Sequence, residues 1–597
     1  MTGFMTKTEF VEKLSSGDWN PLVSANLPKR NTSTYTSVQD NFNIDWRIIP
    51  ALRLQGRFSY TRQFDRRDLF KSPESLDYST ETDPKKKGSY YLVNSRSDRF
   101  DGNLTLAYNK TIDKHMLNVG VGSNIMQSET EGESFTGVGF INPDMIFIGA
   151  ANAFQENTSP QGTYDKSRLV GFFTNVNYGY GNRYFLDFSF RSDGSSKFGR
   201  NSRFAPFWSL GVAWNVHNES FWHAHEKNAL KLRASVGSTG TTNFSSTQAL
   251  TTYLYDFSRE YNGNFGVSLA GYGNSSLKWQ TTLSYNVGVD FTFLHGLVVF
   301  NGDFYIKNTR SLLLPVTVAP STGFIDYVEN IGKLRNTGVE ARLRFNLIQD
   351  AVKDLRWNVT LSAFHNRSKI TQLSNQLETI NQYANDDRAN QGTVVYRQFE
   401  AGRSQTALMV VRSGGIDPAT GNEIYIKRNG EMTFEYNHND KIECGDMKPK
   451  IEGNVNTNLN WKGFNLYMLF KYQYGGKIYN ATLASKVEGV NPLKNADKRV
   501  LYDRWKEPGD HAKFRRIDDT SAPYQTTRLV FDNNLLALQS VSLSYELPRK
   551  ISQKMYMERV KLLLSSTDLF RLSSVKQERG TSYPFARTFS IGLNVTF

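Results

Sequence analysis

The 597-residue chain is poor in the residues that build crosslinks, metal centres and membrane helices. Its one cysteine, Cys444, cannot close an internal disulfide, and no cysteine or histidine cluster has the spacing of a zinc site. No stretch approaches the roughly 18 consecutive apolar residues that a transmembrane helix needs; the longest candidates are 297–300 and 312–314. These shortages exclude disulfide-stabilised, zinc-stabilised and helical membrane folds.

Two further features are missing from the sequence, a basic stripe and an export leader. The formal net charge is +14, but lysine and arginine are scattered singly, with Lys85–Lys87 as the one run, so we expect no nucleic-acid binding. Residues 1–10 contain no basic segment followed by an apolar core and a small-residue cleavage site. We therefore predict that the chain carries no signal peptide.

The chain does have many aromatic residues, 13% of the total, at a mean hydropathy of −0.50. Three segments, 282–293, 339–347 and 588–597, alternate between apolar and polar residues. Their apolar faces hold no charge and consist of Leu283, Tyr285, Val287, Val289, Phe291, Phe293, Val339, Ala341, Leu343, Phe345, Leu347, Phe589, Ile591, Leu593, Val595 and Phe597. A charge on the lipid face of a barrel costs about 2–4 kcal/mol at mid-membrane, whereas a lumen-facing charge stays hydrated. The alternation therefore predicts strands with lipid on one side and water on the other.

About sixteen to eighteen such segments occur, each near the 9–11 residues that a tilted strand needs to cross a bilayer. Short turns such as 181–183 alternate with long polar stretches such as 372–398 and 492–532, which is typical of brief periplasmic turns and long outer loops. We predict an all-β fold, a transmembrane antiparallel β-barrel with long extracellular loops. Residues 1–36 are expected to form an irregular lead-in and residues 37–597 the barrel.

Local signals refine this picture. Asp193-Gly194 lies between two alternating runs and predicts a tight hairpin turn, because glycine adopts positive φ without strain. Four tryptophans near predicted strand ends suit an interfacial aromatic girdle, although each is equally consistent with an ordinary strand residue. They are Trp46, Trp208, Trp357 and Trp461.

Several motifs occur in an order that resembles the SusC/RagA group of TonB-dependent outer-membrane transporters. The first is a strand, Asp-Gly-Ser-Ser hairpin and returning strand over 184–214, with the runs 191–199 and 204–209. The later ones are 230–237 with Gly240, 329–332 with 336–340, 445–480 and 583–597. The resemblance extends from about residue 19 to the end, and its specificity lies in the joint order.

The resemblance implies a barrel of 22 strands, so this one is expected to be incomplete at its N-terminal side. It also implies import of a nutrient, a glycan or peptide oligomer, across the outer membrane, with a SusD-like surface lipoprotein as lid. TonB would act through a plug domain that we expect to be absent from this chain. The chain would contact outer-membrane lipid and hold no cofactor. The final strand, with the apolar residues Phe589, Ile591, Leu593, Val595 and Phe597, is similar to the signal read by the outer-membrane assembly machinery.

Candidate functional residues each have an ordinary alternative. Lumen-facing charges are either cargo contacts or solvated groups paired with a plug: Asp290, Glu340, Arg342 and Arg344. Loop aromatics either stack on sugar rings or anchor their loops: Tyr383, Tyr396 and Tyr436. His223 and His225 have no third metal ligand nearby, and 237–240 lacks the lysine and helix of a phosphate loop. We therefore expect no enzyme, and keep a non-functional or split-gene fragment, a passive porin and an adhesin as alternatives.

Overall fold

The computed structural model describes most of the chain in side-chain detail. The described residues are 27–156, 158, 160–199, 202–223, 227–241, 249–271, 273–317, 326–330, 332–373, 381, 398–490, 497–519, 521–575 and 587–597. Within them, no helix is long and apolar enough to cross a membrane.

Strands dominate the chain from Lys29 onward. In chain order they are β1 (Lys29–Ile49), β2 (Leu52–Lys71), β3 (Ser89–Ile112), β4 (His115–Val138), β5 (Ala153–Phe154), β6 (Gln161–Tyr180), β7 (Tyr184–Ser195), β8 (Phe204–Asn215), β9 (Ala229–Thr241), β10 (Thr252–Tyr261), β11 (Asn264–Gly271), β12 (Gln280–Phe293), β13 (Val298–Arg310), β14 (Leu313–Thr317), β15 (Asp326–Asn330), β16 (Lys333–Asp350), β17 (Leu355–Gln372), β18 (Ala407–Ile416), β19 (Glu423–Ile426), β20 (Met432–Thr433), β21 (Lys441–Asp446), β22 (Ile451–Trp461), β23 (Phe464–Tyr479), β24 (Val530–Glu546), β25 (Arg559–Ser573) and β26 (Thr588–Thr596). Helical segments are few and short, the main ones being Ala481–Leu483, Ala484–Glu488 and Arg549–Lys554.

One antiparallel sheet contains eighteen of these strands, and its seventeen long strands pair in chain order, each with the next long strand of the sheet as far as β26. The eighteenth, β5, is a two-residue strand beside β4. The hairpins β10–β11 and β14–β15 and a four-stranded sheet of β18 to β21 lie outside this meander, within its connections. The predicted all-β barrel wall is thus confirmed, with a strand number inside the expected range.

Connections alternate in length between the two ends of the sheet. At one end, six of the eight connections are turns of two to four residues, and the other two are 216–228 and 547–558. The opposite end carries connections as long as 242–279, 373–450 and 480–529. At the turn between β22 and β23, Lys462 and Gly463 both have positive φ, as a two-residue hairpin requires. The ends are called the short-turn end and the long-loop end below.

The two faces of the sheet differ as predicted. Along β12, Tyr285 and Val287 are 46% and 60% exposed on the apolar face, and Asp290 lies on the opposite, polar face. Strands β1 to β4 are 20 to 24 residues long, whereas β7 and β8 have 12. Because 9–11 residues suffice to cross a bilayer, the longer strands extend well beyond it at the long-loop end.

Two local predictions need correction. The irregular lead-in predicted for residues 1–36 overlaps β1, which begins at Lys29, opposite Lys71 of β2. Its first residues are polar and show no apolar alternation, so the sequence pattern did not reveal the strand there, and residues 1–26 lie outside the described residues. Asp193 and Gly194 are not the hairpin turn but paired residues of β7, opposite Ala205 and Phe204 of β8. The Arg191 side chain bonds the Asp193 carboxylate at 2.5 Å, which stabilises an extended conformation where the dipeptide alone favours a turn.

The first and last strands are exposed edges of the sheet. Nearly every residue of β1 is solvent-exposed, and in β26 Ile591 is 84% exposed. Among the described residues, no backbone pairing joins β1 to β26. Unpaired backbone groups in lipid each cost several kcal/mol, so both edges require partner strands within a membrane.

At one position of the wall, β17 and β22 approach each other so closely that only glycine fits between them. A Cβ on Gly453 of β22 would lie 1.8 Å from the Ser362 carbonyl oxygen of β17. The Tyr472 hydroxyl of β23 reaches across this gap and donates a 3.0 Å hydrogen bond to the same oxygen. An aromatic ring over a strand glycine restores the packing that the missing side chain would supply.

Candidate functional site

The polar face of the sheet carries an ion-pair network where β9, β12 and β13 meet. Arg233 Nε lies 2.8 Å from Asp290 Oδ2, and its Nη1 lies 3.1 Å from Asp303 Oδ1. Asn301 donates to Asp290 Oδ1 at 2.8 Å, so one guanidinium holds two carboxylates on the same face. All four side chains are only partly buried, which indicates a hydrated face rather than a dry core.

Of the four charges predicted to face the lumen, the structure brings three near this network. Glu340 pairs in register with Asp303, and Arg342 with Asn301, whereas Arg344 lies further along β16 opposite Val299. Asp290 takes part directly through Arg233. Arg233 itself was missed by the sequence reasoning; its position between Leu232 and Ala234 on the polar face of an alternating run is the signal that identifies it.

Two long connections fold together at the long-loop end. We call this unit the loop assembly and define it as residues 398–450 and the described part of 480–529. Its central strand, β18, begins with five buried residues from Ala407 to Val411, and both neighbours of β18 in its sheet, β19 and β21, come from the same connection. The second connection joins through a parallel bridge between Val411 and Thr526 and through packing of Leu529 on Leu408.

Buried charges connect the two halves of the loop assembly. Arg528 Nη2 lies 3.0 Å from Glu423 Oε2 and 2.9 Å from Glu488 Oε1. Glu488 Oε1 also accepts from Arg515 Nε at 2.9 Å, and its side chain is fully buried. Thr526 donates to the second oxygen of Glu423 at 2.6 Å. Burial lowers the pKa of Arg528, but Glu423 and Glu488 outweigh it, so the pKa is raised and the guanidinium stays charged.

Three tyrosines form an aromatic cluster beside these charges. The rings of Tyr436 and Tyr524 stack with centroids 4.1 Å apart, and Tyr425 packs edge-on against Tyr436 at 5.4 Å. Burial raises the pKa of the Tyr425 hydroxyl above its ordinary value. Tyr436 thus has the anchoring contacts that the sequence left as its alternative role, while Tyr383 and Tyr396 lie outside the described residues.

A cavity of about 530 Å³ opens at the surface of the loop assembly. Its lining combines apolar and aromatic residues, including Leu483, Tyr502, Phe514 and Phe531, with four charged residues, Arg499, Asp503, Lys513 and Arg528. Its volume is within the range of ligand sites, which combine apolar walls with polar groups that orient the ligand.

The residues considered for enzyme chemistry have structural partners. The His223 ring Nδ1 lies 2.8 Å from the Phe221 carbonyl oxygen, and His225 lies outside the described residues. Residues 237–240 belong to β9 and pair with β12, so they form no phosphate loop. In the part of the chain that the structure describes, no group of three or more histidine, cysteine, aspartate or glutamate side chains is placed to hold a metal ion.

Together, a long antiparallel meander, an apolar outer face, a charged inner face and folded loops at one end define an outer-membrane β-barrel of the receptor class. The family profile "TonB dependent receptor-like, beta-barrel" matches residues 11–403, and the chain belongs to that family. TonB-dependent receptor P3 of Formosa agariphila is 25% identical over 96% of this chain and 59% of its own length. TonB-dependent receptor SusC of Bacteroides thetaiotaomicron is 27% identical over 54% of this chain and 32% of its own.

Solved structures agree with the fold. The structure of the RagAB peptide transporter superposes with a TM-score of 0.84 at 21% identity, covering 97% of this chain and 63% of that one. The "open-open" state of the same importer gives 0.81 over the whole of this chain. The chain spans about 60% of the length of three curated relatives, the TonB-dependent receptors P3, P26 and P39 of Formosa agariphila.

Proposed function

We propose that the chain forms the wall of a SusC/RagA-type TonB-dependent importer of glycan or peptide oligomers in the outer membrane. The observation that supports it best is the Arg233 network, because a charged and hydrated inner face behind an apolar outer face suits a water-filled path. Further strands outside the described residues would pair with β1 and β26, and a plug would fill the lumen and contact TonB.

A SusD-like lipoprotein would cover the long-loop end, and the loop assembly is the part of this chain best placed to meet it. The cavity lined by Tyr502, Phe514 and Phe531 would accept an apolar or ring-shaped group of the cargo. The last strand, with Phe589, Ile591, Leu593, Val595 and Phe597, would serve as the assembly signal, because four of these five side chains are highly exposed on the outer face.

Cysteines introduced at two adjacent positions of β9 test whether the inner face of the sheet lines a water-filled path. With Cys444 replaced by serine, Ser235→Cys faces the lumen and its neighbour Ala234→Cys faces lipid. A bulky water-soluble maleimide is expected to label the cysteine at 235 and to lower uptake of fluorescent oligosaccharides or peptides, and to spare the cysteine at 234. Equal labelling of both would contradict the lumen assignment. Uptake that persists without TonB would instead indicate a passive porin.

A further inference from the structure

Of the two longer connections at the short-turn end, the one between β24 and β25 contains an α-helix, Arg549–Lys554. We call residues 548–558 the foot. Ser552 is buried, whereas the rest of the helix is exposed. The helix contains Arg549, Lys550 and Lys554 and no acidic residue.

The exposed side of the foot is amphipathic. Ile551 of the helix and Met555, which directly follows the helix, are 46% and 49% exposed, and Tyr556 is 93% exposed. Lys550 and Lys554, four residues apart on the helix, form the neighbouring stripe. Apolar and cationic stripes side by side are the pattern of a helix that lies in a membrane interface.

Exposed aromatic residues near the foot indicate its position relative to the bilayer boundary. Trp461 and Phe464, at the adjoining turn, are 50% and 44% exposed, and Phe464 stacks on Tyr545 with centroids 4.2 Å apart. Aromatic girdles of this kind mark the boundary of the bilayer. Arg549 follows Tyr545 by four residues, so the foot lies directly at this boundary on the short-turn side.

A recess of about 810 Å³ adjoins the foot and carries positive charge. Five basic and two acidic side chains line it, a formal excess of three positive charges, and Arg549 and Lys462 are among the five. The excess remains although Glu546 pairs with Arg559. The strand residues of this lining, such as Arg356, Asn460 and Ser544, lie in one row on the lumen face, so the recess is on the lumen side of the wall. Short turns of outer-membrane barrels face the periplasm, so the membrane surface at the level of the foot is the inner leaflet.

We propose that the foot binds anionic phospholipids of the inner leaflet. Ile551, Met555 and Tyr556 enter the acyl boundary, while Arg549, Lys550 and Lys554 contact the lipid phosphate. This binding depends only on the position of the foot in an outer-membrane barrel, so it is independent of what the barrel imports. A protein partner at this end, the other possible occupant, would require no preference for lipid charge.

The test is lipid titration of the barrel purified from outer membranes of cells producing the full chain. Native mass spectrometry would compare binding of phosphatidylglycerol with that of zwitterionic phosphatidylethanolamine. The foot variant is R549Q/K550Q/K554Q, and its matched control is K85Q/K86Q/K87Q, which removes three lysines from the long-loop end. We expect the foot variant to lose roughly tenfold to a hundredfold in phosphatidylglycerol affinity, as three basic charges near an anionic surface imply, and the control to lose none.

A second measurement needs no variant. Binding of phosphatidylglycerol by the unmodified barrel is expected to weaken as salt rises, because exposed charges are screened. Unchanged affinity in the foot variant, an equal loss in the control, or no preference of the unmodified barrel for anionic lipid would each overturn the proposal.

Discussion

Glu488 is the carboxylate on which the two halves of the loop assembly depend most. It accepts from both Arg515 and Arg528, and its side chain is 0% exposed. Glu488→Gln removes the negative charge while keeping the shape, which leaves two buried guanidinium groups short of a counter-charge. Breaking a buried ion pair costs about 3–5 kcal/mol, and we expect the lower end because Glu423 still holds Arg528.

Hydrogen exchange of the amides in β18 measures this loss. These amides exchange when the loop assembly opens, so a loss of about 3 kcal/mol raises their exchange roughly a hundredfold, at 1.4 kcal/mol per tenfold change. The matched control is Glu431→Gln in the same unit, whose partner Lys427 lies 3.2 Å away in solvent. Exposed pairs contribute about 0–1 kcal/mol, so the control should change exchange little. Equal protection in the two variants would refute the assignment of Glu488 as the central group.

Three further predictions concern the wall and the loops. Ile591→Lys should cost about 2–4 kcal/mol and reduce the heat-stable folded band on gels, whereas Ser590→Lys on the lumen face should not; similar losses would contradict the assigned faces. Gly453→Val should lower the melting temperature of the barrel by separating β22 from Ser362, and unchanged melting would contradict that contact. Burial lowers the pKa of Lys441 to about 8 from an ordinary 10.5. Between pH 8 and 10.5 the unfolded chain therefore binds more protons than the folded chain. The free energy of unfolding of the loop assembly should rise by up to about 2 kcal/mol over this range, allowing for residual hydration, and Lys441→Met should abolish the increase.

The wall was predictable because its pattern is local. Each strand separates lipid from water, so apolar and polar residues must alternate within every segment, as Tyr285 and Asp290 do. The pairing of the wall is also local in this sense, because each long strand of the sheet lies beside the next long strand along the chain. The Asp193-Gly194 turn was misplaced since Arg191 stabilises the extended chain there, a contact that no dipeptide preference contains.

The loop assembly was not predictable for the opposite reason. Glu423 and Arg528 are 105 residues apart, and their ion pair exists only after two connections meet. No period or motif in either connection points to the other. The buried run that starts β18 resembles any short apolar strand, and its cover, including Thr526, comes from the far side of β22 and β23. The basic helix of the foot was missed because six residues are too few for a helical period.

The bridge between Val411 and Thr526 also links strands of the wall that do not pair with each other. The two connections that it joins are separated in sequence by the β22–β23 hairpin, which lies between β17 and β24 in the wall. The loop assembly therefore joins the connection that follows β17 to the one that precedes β24 without backbone pairing between these two strands. Opening of the loop assembly would leave β22 and β23 held in the wall by their strand pairing alone.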